Sequence, residues 1–453
     1  MIQKLGISQS QRSRFNPIEK NRESQAGENQ FLSHERYTLN GFQRLLIYSF
    51  AFFGPLGTLL TPSFMPYAFR FYHFFLLFFP LFFINLKERE WKTILAFVPF
   101  LGYCLVSAYF THNKDFHQDA YPLFRCFLLI SQCLFMFGAA FTLRERDERN
   151  RLLFLYLAGF FLSLVIGYIF YIGYYLGKIS FETIQHYSVE AQIGWGFLRF
   201  SPGTYPNEYG NIASFALSLL LIKYSEKKGF WVFIFLGLTF IAFLLTTTRA
   251  AYLSFIITMI YLCFTSSNIQ KIALKTTFFA LSILLILKAY SINFFKIFIA
   301  GIQTISFTYG STGIRFQEWV KGFFDLNDHI ILGNGFGSNI LAHNVYLELL
   351  FELGLAGSLL LVLTLIYYLG ENSRRIQKAF TQEKERQVVI VGLIHVLLFA
   401  TTNHNMHHHL TWFIFLLLNM SVFATQQDDL SPLPNKQQLS LGSAQPPNPA
   451  LQQ

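Results

Sequence analysis

Apolar runs of roughly 17–25 residues recur along almost the whole of this chain, and each is long enough to cross about 30 Å of hydrocarbon as a helix. Inside a bilayer each segment must satisfy its own backbone N–H and C=O groups, so helices are expected and open strands are not. The expected fold class is all-α, a polytopic integral membrane protein with about twelve transmembrane helices and a partly helical outer loop. Composition agrees. Of 453 residues 53% are hydrophobic, 18% aromatic and only 13% charged, with 55 Phe, which is more apolar than a soluble domain can carry.

Candidate spans are 42–62, 66–86, 91–110, 122–143, 151–177, 206–223, 229–246, 250–264, 275–299, 343–369, 388–403 and 410–425. Residues 1–41 form a polar tail without the apolar core of a signal peptide, 42–425 form the membrane domain, and the Pro- and Gln-rich 426–453 are expected to be disordered. The formal charge of +10 does not point to nucleic acid. Its Lys and Arg lie in short clusters between apolar runs ("KEREWK", "RERDERNR", "KYSEKKG", "ENSRRIQKAFTQEKERQ"), and with both tails cytoplasmic all of these fall on one side, as the positive-inside rule requires. Cys104, Cys126, Cys133 and Cys263 lie inside apolar runs and read as small hydrophobes.

The opposite, outer face receives 111–121, 178–205, the turn 246–249, the longest loop 300–342, and 403–409. Its few arginines include Arg199, Arg249 and Arg315, and isolated cations where topology does not favour them are candidates for function. "GIRFQEWVKGFFDL" sets Phe316, Trp319, Val320, Phe323 and Phe324 on one stripe of a helix that is expected to lie in the interface with Trp319 at headgroup depth. Arg315 starts that helix and either grips a substrate phosphate with its guanidinium fork or snorkels to lipid headgroups. "ILGNGFGSN" follows, its alternate glycines suiting either backbone approach to an anion or a tight turn.

The chain then enters "AHNVYLELLFELGLAG". With the helix starting at or near His343, about 100° per residue puts His343, Leu347, Leu350, Gly354 and Gly357 on one face. Glu348 and Glu352 then share nearly the opposite face. His343 stands at the mouth, where the helix's positive end favours a neutral imidazole able to act as a general base. Glu352 must meet a donor from another helix, and Gly354 and Gly357 suit close helix contact. Further along the outer face, "FLRFSPGTYPNEYGNIASF" brings Arg199, Asn207 and Glu208 into a turn, and "LLTTTRAAYLSF" puts Arg249 at a helix break.

"HNVYLELLFELGLAG" resembles the His-Asn…Tyr-Leu…Glu-x-Gly-x-x-Gly signature of the O-antigen ligase and O-antigen polymerase superfamily. "TTTRAAYLSF", "GIRFQEW" with "LGNGFG", and "SPGTYPNEYGNIASF" are similar to that family's other segments, so the resemblance covers about 195–370. It implies a bacterial inner-membrane glycosyltransferase whose active site faces the periplasm. Its donor would be a glycan on undecaprenyl diphosphate, and its acceptor lipid A-core or another glycan. His343 would match the catalytic histidine, and Arg249, Arg315 and Arg199 the diphosphate-binding arginines, with Asn344, Glu352 and Asn207 supporting them. The expected partners are donor, acceptor and membrane lipids, with no cofactor and no nucleic acid. The outer face carries no Asp-rich motif, so a metal-independent transfer is expected. The polymerase is the first alternative and a transporter or lipid flippase the second. The cluster His404, His407, His408 and His409 is open to three readings: a polar rim, an acceptor contact, or a metal site through His404 and His408.

Overall fold

The computed structural model describes residues 41–61, 70–84, 86–112, 122–143, 145–188, 193–194, 197–272, 274–275, 310–338, 342–381, 383–403 and 406–428. Helix α1 spans 41–53. It is followed by α2 (Glu88–Leu95), α3 (Val98–His112), α4 (Pro122–Thr142), α5 (Arg146–Tyr175), α6 (Phe181–Tyr187), α7 (Pro206–Glu226), α8 (Phe230–Leu245), α9 (Arg249–Thr265), α10 (Gly310–Asn327), α11 (Val345–Thr381), α12 (Glu383–Ala400) and α13 (His409–Asp428). The extended pairing among the described residues is one short antiparallel ladder, Ile193–Gly194 with Phe197–Leu198. The molecule is a helical bundle.

Among the described residues, three helices are long and apolar enough to cross a membrane: Pro122–Thr142, Asp147–Tyr175 and Val345–Thr381. Val98–Thr111, Phe230–Leu245, Arg249–Thr265 and His409–Phe423 are apolar but shorter. The expected span 66–86 is not a continuous helix. Its described part holds a short helix at His73–Leu76 and a 3₁₀ segment at Phe79–Phe83, where Pro80 has no N–H to continue an α-helix. Likewise 42–62 leaves the α-helix at Gly54–Leu56, which contains Pro55, and 91–110 divides between α2 and α3. Residues 276–309, which hold all but the first residue of the expected span 275–299, lie outside the described residues, as do 1–40 and 429–453 of the tails.

Helices α7 and α13 form the centre. α13 packs on α4, α5, α11 and α12, while α7 packs on α5, α8, α9 and α12. Ala213, Ser214, Ala216 and Ser218 of α7 are buried, and such small side chains let backbones approach closely. Ser214 shares a 2.7 Å hydrogen bond with Nε2 of His395 in α12. Aromatic rings fill the space left: Tyr156 stacks on Phe413 with centroids 4.4 Å apart, and Phe50 meets Phe135 at 5.3 Å. Arg149 of α5 bonds Glu385 of α12 and Ser421 of α13, closing one end of the bundle. All four cysteines are free thiols.

At the other end, the start of α11 differs from expectation. Asn344 is the N-cap: its Oδ1 accepts from the N–H groups of Tyr346 and Leu347 at 3.0 and 3.1 Å, and the helix begins at Val345. His343 lies outside the helix with φ +47°. Further on, the helix is interrupted at Gly354, where φ is 63° and ψ −167°, so Gly354 breaks the helix instead of serving a helix contact. The loop around 330–335 fills the break. Leu355 and Ala356 N–H donate to the Ile330 and Ile331 carbonyls, each at 3.0 Å, while Asn334 and Gly335 N–H donate to Phe351 and Glu352 carbonyls at 2.9 and 2.8 Å. A Cβ on Gly333 would stand 2.4 Å from the Glu352 carbonyl oxygen, and one on Gly354 would stand 2.4 Å from the Gly333 nitrogen. Both positions need glycine for space and for backbone conformation.

Candidate active site

The end of the bundle that carries His343 gathers the starts of α4, α7, α9, α11 and α13. Arg199 lies along the turn from α8 to α9. Its Nε donates to the Thr246 carbonyl at 2.8 Å, and its Nη2 donates to Asn207 Oδ1 at 3.1 Å and Thr248 Oγ1 at 3.2 Å. Phe200 N–H donates to the Leu245 carbonyl, and Thr248 Oγ1 donates to the Pro206 carbonyl. Sequence segments almost fifty residues apart are thereby joined, with Asn207 holding Arg199 in place.

Arg249 is the first residue of α9 and follows the N-cap Thr248. A cation at a helix's positive end is disfavoured, so this end of α9 suits an incoming anion. Burial is the first cause that draws the Arg199 guanidinium down to about 10; the Tyr252 phenol opposes it and Arg249 reinforces it. Arg315 is also lowered, by burial first and by Arg249 second. Arg249 therefore stands within electrostatic reach of both other arginines, and a guanidinium stays protonated at any ordinary pH. The three form a cation set whose mutual repulsion an anion would relieve.

Arg315 lies on α10. Trp319, one turn on, donates its indole N–H to the carbonyl of Ala342, next to His343. Gly322 of α10 faces the Phe351 ring, Phe323 packs edge-on against it at 5.0 Å, and Trp319 joins the cluster of Leu326, Ala342 and Phe351. Trp319 thus turns its indole N–H into the protein, where the Ala342 carbonyl accepts from it. Phe316, Val320 and Phe324 remain exposed. Arg315 shares a helical face with Trp319, Gly322 and Leu326, which turns it toward the bundle.

His343 is half-buried. With Thr247 it makes up the non-glycine residues of left-handed backbone among those described. Each belongs to one of the two polar segments at this end of the bundle. Such conformations cost on the order of 1–3 kcal/mol and persist where the surroundings hold them.

Among the described residues of the glycine-rich loop, most N–H groups are spent on the protein itself. The N–H groups of Gly333, Asn334 and Gly335 donate to protein carbonyls, and that of Phe336 donates to Ser107 Oγ at 2.8 Å. Glu352 pairs with a fourth arginine. Arg125 of α4 meets Glu352 Oε1 at 3.1 Å and Glu348 Oε1 at 2.7 Å, so one guanidinium spans both carboxylates.

Of the histidine cluster, His404 lies outside the described residues. His408 and His409 are buried and do not form a polar rim. His407 Nδ1 is 3.1 Å from Gln132 Oε1, His409 Nε2 is 2.9 Å from the Phe50 carbonyl, and His408 Nε2 is 3.8 Å from Glu208, which is itself paired with Arg70 at 2.7 Å. These side chains tie the last helix to its neighbours. No group of three or more His, Cys, Asp or Glu arranged for a metal occurs among the described residues.

Arg125 and Arg70 were passed over in the sequence because each sits inside an apolar run. A lone arginine in "PLFRCFLL" and unpaired glutamates at i and i+4 in "LELLFEL" were the complementary signals.

Fold and site together define a predominantly helical protein with helices able to cross a membrane and a cationic cluster at one end of the bundle. No family model matches the chain, and no curated protein matches it.

Proposed function

We propose that this chain is an O-antigen ligase-like glycosyltransferase of the bacterial inner membrane, with about twelve spans and its active site on the periplasmic side. It moves a glycan from undecaprenyl diphosphate to an acceptor hydroxyl, with lipid A-core as the preferred acceptor. The observation that carries the reading is the placement of Arg199, bonded to the Thr246 carbonyl and to Thr248 Oγ1, beside the helix end that Arg249 opens. A cation set of this size suits a diphosphate, whose leaving-group charge rises during transfer. In the reaction the acceptor oxygen attacks the anomeric carbon as the bond to phosphate breaks. The electron pair goes to the diphosphate held by the arginines, and the acceptor proton goes to the His343 imidazole. An in-line displacement inverts the anomeric configuration.

A polymerase that joins repeat units uses the same chemistry with a different acceptor. The transporter class gains one observation, the interrupted helix at Gly354, since broken helices line transporter ion sites. Here the freed backbone groups bond to 330–335 instead of facing a cavity, which favours the enzyme.

Deleting the gene and reading both the surface glycolipid and the undecaprenyl-linked pool tests this. Bare lipid A-core with accumulated lipid-linked polymer supports the ligase, and core bearing a single repeat supports the polymerase. An unchanged pattern with no lipid-linked accumulation overturns both.

A further inference from the structure

Residues 345–353 form a helix shorter than the roughly 12–15 residues an isolated helix needs, and Gly354 severs it from 355–381. Its position must come from its contacts. The glycine loop supplies some through the Phe351 and Glu352 carbonyls. The side-chain contacts converge on Arg125, whose two terminal nitrogens take Glu348 and Glu352, one turn apart on the half-helix. The same guanidinium lies over the Phe336 ring, 5.8 Å from its centre, and Phe336 is fully buried and bonded to Ser107 of α3. Arg125 is thereby the junction of α4, the glycine loop and the half-helix.

We propose that Arg125 is a positioning residue for the transfer reaction: through Glu348 and Glu352 it fixes the half-helix, its Asn344 cap and the His343 held at its mouth. It touches neither donor nor acceptor. Glu348 and Glu352 are 2% and 0% exposed, so the half-helix cannot shift without stripping buried carboxylates of their counter-ion. A lysine keeps the charge but cannot reach both carboxylates with a planar fork. This inference rests on the reading of His343 as the base.

The test uses the full chain reconstituted in lipid, with undecaprenyl-diphosphate-linked glycan as donor. In Arg125→Lys, amide exchange of 345–353 is expected to quicken while that of 355–381 stays as it was. Transfer should lose about tenfold or more in kcat, with donor KM held within about twofold, because the base is displaced while the cation set is left intact. If Arg125→Lys fails to insert, the triple variant Arg125→Met, Glu348→Gln, Glu352→Gln removes every buried charge of the clamp and should show the same split. Unchanged exchange in 345–353 overturns the inference, as does a raised KM with unchanged kcat. A His343→Ala protein that still transfers glycan overturns the reading of His343 instead, and the exchange measurement then decides the clamp by itself.

Discussion

The indole of Trp319 donates to the carbonyl oxygen of Ala342, so the helix that carries Arg315 is fastened to the residue preceding His343. Arg315 in turn lies within electrostatic reach of Arg249, which also acts on Arg199. A hydrogen bond and a pair of charge interactions therefore relate the base candidate to the cation set across segments of the chain more than a hundred residues apart.

Replacing His343 by Asn keeps a residue that tolerates left-handed backbone and removes the imidazole. The variant is expected to fold and insert like the parent while glycan transfer falls to background. Transfer at the parental rate from purified His343→Asn would end the assignment of the base.

Arg315→Lys and Arg249→Lys keep the charge and lose the fork, so each should weaken donor binding by about tenfold. Binding of a short-chain undecaprenyl-diphosphate analogue, followed by calorimetry, measures this. Equal affinity in both variants would show that the diphosphate is held elsewhere.

Gly333→Ala places a methyl against the Glu352 carbonyl and the Gly354 nitrogen, in a backbone with φ +73°. The joint must open, at a cost of about 2 kcal/mol or more. Thermal unfolding in detergent should show a clear loss, with Gly237→Ala, whose added Cβ has nothing within 4 Å, as the control.

His408 supplies a pH prediction. The unfolded imidazole titrates near 6.5, whereas burial first, with Arg70 against and Glu208 for the charged form, brings folded His408 to about 4. Between these values the unfolded chain binds a proton that the folded chain refuses. Stability is therefore full above about pH 6.5 and falls as pH drops toward about 4, by a few kcal/mol at most. His407, lowered to about 3 chiefly by burial, acts in the same direction. His408→Gln should lose less stability than the parent between pH 7 and pH 5, and equal losses would contradict the assignment.

What the sequence disclosed depended on how local the signal was. Arg249 stood out as a lone cation between two apolar runs, and Asn207 with Arg199 shared one turn-forming segment. The start of α11 was readable to within a residue or two, with the helix beginning at Val345, capped by Asn344, and His343 just outside it. The break at Gly354 was not legible, since a glycine in an apolar helix suits close packing equally well and only the docked loop 330–335 distinguishes the two. Arg125 was hidden for a related reason: its partners lie over two hundred residues away, so nothing near it in the chain marked it as paired. The broken passage at 70–84 shows the same limit, because hydropathy records how apolar a stretch is and not whether its backbone stays helical.

The interruption at Gly354 also bears on how the protein is made. Residues 355–369 are apolar and can enter lipid as they are synthesised, whereas residues above the break carry Glu348 and Glu352, each of which costs about 2.5–3.5 kcal/mol at the centre of a bilayer. That upper piece can settle only once α4 has brought Arg125 and the glycine loop has closed over the gap. On the proposed function, maturation would run from anchorage of the apolar part to an assembled site, and a chain halted midway would lack the placement of His343.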